Sequence, residues 1–247
     1  MIFVTGDCHG DYRRFSRENF PEQKKLTKSD YVIIAGDFGY WTPSKEQDYW
    51  LDWLDKKSFV TLFIDGNHES FDDLEKLPNK RWNGGTVDVV ADSILHLRRG
   101  SVFNIDGCKI FTFGGARSHD IDGGILDRTD PEFRVKKKAT DRSDLPYRIN
   151  HETWWEQEMP TGLQMGYGEL QLFRNNMKVD YIITHCCSSS TQAQLSNGFY
   201  SPDALTDYFE KLKNNVDYKK WFFGHYHDNK EINEKEILLY EQIIRIW

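Results

Sequence analysis

Five clusters of carboxylate, amide and imidazole side chains in this 247-residue chain are spaced for hydrolytic metal chemistry: Asp7-x-His9, Gly36-Asp37, Gly66-Asn67-His68-Glu69, His185 and Gly224-His225-x-His227. They take five of the eight histidines. Hard oxygen donors and imidazoles suit divalent first-row cations, and a carboxylate has an oxygen for each of two ions about 3.5 to 4 Å apart. Asp37, arriving alone after Gly36, fits that bridging part. In Asp-x-His both side chains project to the same side of an extended strand end, and His225-x-His227 repeats the arrangement far downstream. Gly10 follows the first pair and lets the backbone turn sharply. The pattern is that of a two-metal site.

Each cluster ends an apolar, largely β-branched run: 2–5, 31–35, 60–64, 181–184 and 221–223. Short apolar runs bounded by Gly read as strands buried on both faces, and in such sheets ligands gather at the carboxyl ends. Helical patterns between the first three runs predict a parallel sheet. Ser44-Lys45-Glu46-Gln47 has capping-box spacing, and Tyr49, Trp50, Trp53 and Leu54 share one face of a helix running to about residue 57. Runs at 94–97, 102–105 and 109–113, the last two joined by the hairpin pair Asp106-Gly107, predict a second, partly antiparallel sheet. Residues 116–160 are poor in apolar residues, carry a basic run from Arg134 to Lys138, and show no helical period before about 153–158. They read as an insertion over the scaffold, of a length that suits a lid or binding segment. Further helices are predicted over about 168–177 and from Ser201-Pro202, and a final hairpin turns at Asn233-Glu234-Lys235.

The length fits one large domain over residues 1–247. A mean hydropathy of −0.69 and the lack of a long apolar run argue against a membrane span or membrane partner. Met1 leads directly into a strand without a signal-like segment, so the cytoplasm is the expected location. A net charge of −7 disfavours nonspecific attraction to nucleic-acid backbones while leaving local sites open. Cys8, Cys108, Cys186 and Cys187 do not form a disulfide pattern and are read as packing residues.

Together and in this order, the five clusters resemble those of the calcineurin-like metallophosphoesterases, over nearly the whole chain, with none of the motifs in the insertion. The resemblance implies a four-layer α/β/β/α sandwich of two mixed β-sheets, hydrolysis of a phosphate ester, and two divalent metal ions, manganese first, with iron, zinc or nickel next. Residue by residue it implies Asp7, His9 and His227 on one ion, Asp37 bridging, and Asn67, His185 and His225 on the other. The ions would neutralise phosphate oxygens and lower the pKa of a shared water whose hydroxide attacks phosphorus. His68, as imidazolium, would stabilise or protonate the leaving oxygen and, with Asn67, contact the substrate. One departure stands out. The phosphoprotein phosphatases of the family carry an Asp three residues after the Gly-Asp carboxylate, and it orients the catalytic histidine; here that position is Tyr40. Glu69 resembles that branch, whereas Gly224-His225-x-His227 resembles the broader group, which weighs more.

Arg117, opening the insertion after Gly114-Gly115-Ala116, either grips a phosphate with its guanidinium or is a surface arginine in a turn. Trp154 and Trp155 are read as anchors of the insertion, and His119 and His151 have no spacing partner. The expected activity is that of a phosphomonoesterase acting on a phosphorylated small molecule or phosphoprotein. A phosphodiesterase acting on nucleotides or nucleic acid is the alternative. A non-catalytic scaffold of the same fold is the competing class, disfavoured because His68 and all seven metal positions are present.

Overall fold

A computed structural model describes residues 1–41 and 43–247. In chain order its strands are β1 (Ile2–Thr5), β2 (Tyr31–Ile34), β3 (Val60–Phe63), β4 (Asn79–Trp82), β5 (Gly85–Ala91), β6 (Ile94–Leu97), β7 (Ser101–Ile105), β8 (Cys108–Phe113), β9 (Ile125–Leu126), β10 (Arg148–Ile149), β11 (Tyr181–Thr184), β12 (Lys220–Phe223), β13 (Lys230–Glu231), β14 (Glu236–Leu238) and β15 (Ile244–Arg245). Its α-helices are α1 (Lys45–Asp55), α2 (Phe71–Leu74), α3 (Phe133–Ser143), α4 (Gly162–Arg174), α5 (Ser189–Ser196) and α6 (Ala204–Asn215).

Two mixed sheets form the centre. The first runs β15-β1-β2-β3-β6-β5-β4, with β1, β2, β3 and β6 parallel. The second runs β13-β14-β12-β11-β8-β7, with β14, β12, β11 and β8 parallel. Alternation along the strands sorts their side chains into layers. Ile2, Val4, Ile33 and Leu62 of the first sheet meet Ile110, Ile183 and Phe222 of the second between the two. On the outer face of the first sheet, Phe3, Val32, Ile34 and Phe63 pack with Leu54 of α1 and with Phe15, Phe20 and Phe59. On the outer face of the second, Phe111, Phe113, Ile182 and Trp221 pack with Leu172 of α4 and Leu205, Phe209 and Leu212 of α6. This is the four-layer α/β/β/α sandwich. Burying each such side chain contributes about 1.5–3 kcal/mol, and the continuous apolar runs of the sequence follow from burial on both faces.

The Ser44 hydroxyl accepts from Gln47 N–H at the start of α1, as its spacing predicts. Asp106 and Gly107 both adopt positive φ, 53° and 81°, the geometry of a tight hairpin turn. The β13–β14 hairpin also turns where predicted. Four expectations need correction. β6 belongs to the first sheet, pairing parallel with β3, because local composition does not say which sheet a strand joins. Between β1 and β2 there are 3-10 turns, Arg13–Phe15 and Pro21–Lys25, instead of an α-helix. α4 starts at Gly162, capped by Thr161, and α6 at Ala204, capped by Asp203, so Ser201-Pro202 lie ahead of the helix. Residues 153–158 give only a 3-10 turn, Glu156–Glu158, and the insertion's α-helix is α3. None of α3's residues is buried; ion pairs such as Lys137–Asp141 at 3.0 Å support it, so it has no apolar period to read. The insertion also forms a separate parallel pair, β9–β10, and buried Trp155 fastens it to the core by donating to Asp72 at 2.9 Å. No described helix is long and apolar enough to cross a membrane.

Candidate metal centre

The loops after β1, β2, β3, β11 and β12 converge at the carboxyl ends of the parallel strands, and backbone bonds lock them together. Cys8 and His9 N–H both donate to Asp37 O, at 2.9 and 2.8 Å, and Gly10 N–H donates to Phe38 O at 3.0 Å. Close approach explains the glycines in the motifs. A Cβ on Gly36, at φ +90°, would run into the His185 ring, and one on Gly224 would run into the Asp7 carboxylate. Arg14 ties the first loop down, donating to Gly6 O at 3.2 Å, to Tyr240 O at 2.5 Å and also to Asp7 O.

Asp7, His9, Asp37 and His227 bring one ligand atom each to within 4.8 Å of one another. His9 Nε2 lies 3.0 Å from His227 Nε2 and 3.7 Å from Asp37 Oδ2, and His227 Nε2 lies 3.2 Å from Asp7 Oδ2. Two carboxylates and two imidazoles facing a common point are a donor set that a divalent cation satisfies. The backbone is held for it: His9, Asp37, His225 and His227 take φ of 49°, 43°, 71° and 49°. Left-handed conformations cost such residues about 1–3 kcal/mol each and persist where the surroundings impose them, a signature of functional sites.

On the other side of Asp37, His185 Nε2 lies 3.3 Å from Asp37 Oδ1 and 3.2 Å from Asn67 Oδ1. Its Nδ1 donates to Ala35 O at 2.9 Å, which turns Nε2 toward the carboxylate. Burial pushes His185 down, but Asp37 and Asp7 together push it up to about 10. Asp37 shows the complement. Burial pushes its carboxyl up, and His185, His68 and His9 overcome that, holding it well below the usual carboxylate range. A proton on His185 occupies the place where a cation would bind, so metal binding would release it. Both Asp7 oxygens accept from His225 N–H, at 3.0 and 3.1 Å, which seats the fifth loop on the first.

Glu69 is fully buried and its carboxylate accepts from Phe38, Gly39 and Tyr40 N–H at 2.7, 3.1 and 2.6 Å. It therefore clamps the loop carrying Asp37. Burial and the Asp37 charge push it up to about 8, yet its hydrogen-bond partners among the described residues are all donors, which favours the anion.

All seven positions expected at the metals lie at this convergence, and His68 N–H donates to Asp37 Oδ1 at 2.8 Å. The insertion contributes residues the sequence did not reveal. Asn67 Nδ2 donates to Ser118 Oγ at 3.2 Å, and Ser118 Oγ donates to Glu158 at 2.6 Å, which fixes the Asn67 amide with its oxygen toward His185. Arg148 Nη2 donates to His68 Nε2 at 3.4 Å while pairing with Asp120 at 2.5 Å. Burial lowers His68 from its ordinary value, Asp37 opposes, and Arg148 lowers it further, against the imidazolium expected. Arg117, by contrast, is exposed at the mouth of the insertion, so the guanidinium beside His68 is Arg148's. His119, without a spacing partner in the sequence, faces His225 with 3.1 Å between their Nε2 atoms. His119 and Arg148 reach the site only through the fold of the insertion, and no local motif marks them. The four cysteines are free and buried, and burial pushes the Cys8 thiol up to about 12, as fits packing groups.

Two comparisons bear on this geometry. The family model described as calcineurin-like phosphoesterase matches residues 1–229. Among curated proteins the chain is similar to lariat debranching enzyme A of Xenopus laevis, 29% identical over 144 residues. It is also similar to the lariat debranching enzymes of Schizosaccharomyces pombe, 30% over 132 residues, and Danio rerio, 28% over 140. These matches cover 51%, 47% and 50% of this chain but only 26%, 26% and 23% of the respective relatives.

Proposed function

This chain belongs to the calcineurin-like phosphoesterase family, and from that membership and the geometry of its site we propose that it hydrolyses phosphodiesters at a centre of two divalent cations. The carrying observation is the shape around the His9–His227 pair. His9 lines a cavity of about 800 Å³ together with Arg13, Arg14 and Tyr240, and His227 lines a second of about 590 Å³ with His119 and Tyr200. A phosphorus held between them would have room for an ester arm on each side. A monoester, the sequence-based expectation, would use one side only. The names of the relatives support the same reading, since opening a lariat breaks a phosphodiester.

In this reading Asp7, His9 and His227 would hold one ion, Asn67, His185 and His225 the other, and Asp37 would offer a carboxylate oxygen to each. Manganese is the first ion to test. When bound, two such ions would neutralise phosphate oxygens and lower the pKa of a nearby water. The water's oxygen bonds to phosphorus as the P–O bond to the leaving alcohol breaks, and a proton passes to that alcohol's oxygen. His68 Nε2 supplies this proton once Arg148, which donates to it in the structure, turns its guanidinium to the phosphate and Nε2 takes up a proton. Arg148 takes the phosphate-gripping part, one of the two readings open for Arg117, and a phosphodiester monoanion beside the guanidinium raises His68 toward its charged form. The test is hydrolysis of bis(4-nitrophenyl) phosphate beside 4-nitrophenyl phosphate with manganese, by wild type and Asp37→Asn. The diester should be preferred, and the variant should lose about a hundred-fold or more, the scale of removing one preorganised electrostatic group. Undiminished activity in Asp37→Asn would refute the site; preference for the monoester would refute the diester reading.

A further inference from the structure

We propose that the cavity beside His225 and His227 is a nucleobase subsite, so that the ester handled at the metal centre is a nucleotide ester. The inference rests on the phosphodiesterase reading and adds the chemical class of the substrate. His119 and Tyr200 are stacked, ring centroids 4.3 Å apart and planes 12° from parallel, and His119 in turn meets His225 at 3.1 Å. The aromatic wall therefore runs without a break from a candidate metal ligand outward. Phe199 stands next to it with 88% of its surface exposed, on the segment that leaves α5 through left-handed Asn197 and Gly198. An exposed phenylalanine alone is ordinary; one bordering a cavity that opens on a candidate metal centre, beside a stacked His–Tyr pair, has the form of a ring-binding platform.

The volume, about 590 Å³, lies within the range of small-ligand pockets. Its rim carries Lys230 and Asp228, a donor and an acceptor. A nucleobase has a flat apolar face for Phe199 and Tyr200 and a polar edge for those two groups, with ribose spanning the gap to the phosphate. A phenyl ester satisfies only the first requirement, since its polar atom is already the ester oxygen at phosphorus.

Binding separates this inference from the catalytic reading. Titration calorimetry with adenosine 5′-monophosphate and with ribose 5-phosphate compares ligands that differ by the base alone. The nucleotide should bind at least about five times tighter, the low end of aromatic–base stacking. Combined Phe199→Ala and Tyr200→Ala should erase that preference, and Tyr200→Phe, which keeps the ring, should retain it. Equal affinities, binding of neither ligand, or a preference that survives loss of both rings would overturn the subsite. Because these are binding measurements, failure to hydrolyse bis(4-nitrophenyl) phosphate would count against the catalytic reading separately.

Discussion

Replacing Glu69 with glutamine removes one oxygen and the charge while keeping the shape. In the native protein one carboxylate oxygen accepts from Phe38 N–H at 2.7 Å and the other from Gly39 and Tyr40 N–H at 3.1 and 2.6 Å. The glutamine oxygen can keep one side of this set. Its NH2 then points at the donor or donors on the other side, which lose a charge-assisted bond of about 1.5–3 kcal/mol and are left buried without a partner. A net loss of about 3 kcal/mol follows, equivalent to a fall of about 6–12 °C in Tm for a chain of this size. The loop so loosened carries Asp37, so affinity for manganese should fall by about ten-fold, as when a ligand's supporting bonds are removed. Thermal unfolding by circular dichroism and manganese titration by calorimetry measure both. A Glu69→Gln protein with native Tm and native affinity would refute the clamp, and a lowered Tm with native affinity would show that the three bonds stabilise the fold without positioning Asp37.

Three further outcomes follow from the same geometry. Glu158 is buried and accepts from Ser118 N–H at 2.9 Å and from Ser118 Oγ at 2.6 Å, so Glu158→Gln should lower Tm by several degrees, as at Glu69, and also lower manganese affinity by about ten-fold because Ser118 then no longer fixes the Asn67 amide; unfolding reads the first and calorimetry the second. His96 lies between Asp65 and Asp88 at 3.1 and 3.0 Å; burial pushes it down, but the two carboxylates raise it to about 9 from an ordinary 6.5. A raised folded-state value contributes stability that is complete below about pH 6.5 and is lost as pH climbs through 9, here about 3 kcal/mol, so urea midpoints should fall over that window in wild type and stay flat in His96→Gln. Manganese at a hundred times its dissociation constant should stabilise the wild type by about 2.7 kcal/mol, a rise of several degrees in Tm, and Asp37→Asn should lose most of that rise.

The parts of the fold that the sequence discloses are those whose signal is local. Val60 to Ile64 read as a strand because that stretch is almost wholly apolar, and Asn67 and His68 read as site residues because they follow it after Gly66. Asp106-Gly107 and Ser44 with Gln47 are equally local. Asn83-Gly84, both at positive φ between β4 and β5, carry the same hairpin signal and could have disclosed that pair. What stays hidden depends on partners distant in sequence or on the absence of burial. Choosing β3 as the neighbour of β6 is a tertiary decision, α3 buries nothing, and Arg148 stands 80 positions from the histidine it touches.

The bond from His225 N–H to the Asp7 carboxylate joins residues 218 positions apart, and β15 then returns to pair with β1. Closing so long a loop costs about 3 kcal/mol more chain entropy than closing one of ten residues, so contacts of this span form late and slowly. The centre is thus complete only once the two ends of the chain have met. During synthesis Asp7, His9 and Asp37 emerge long before His225 and His227 exist to meet them. An ion offered to the growing chain finds at most one side of its cage.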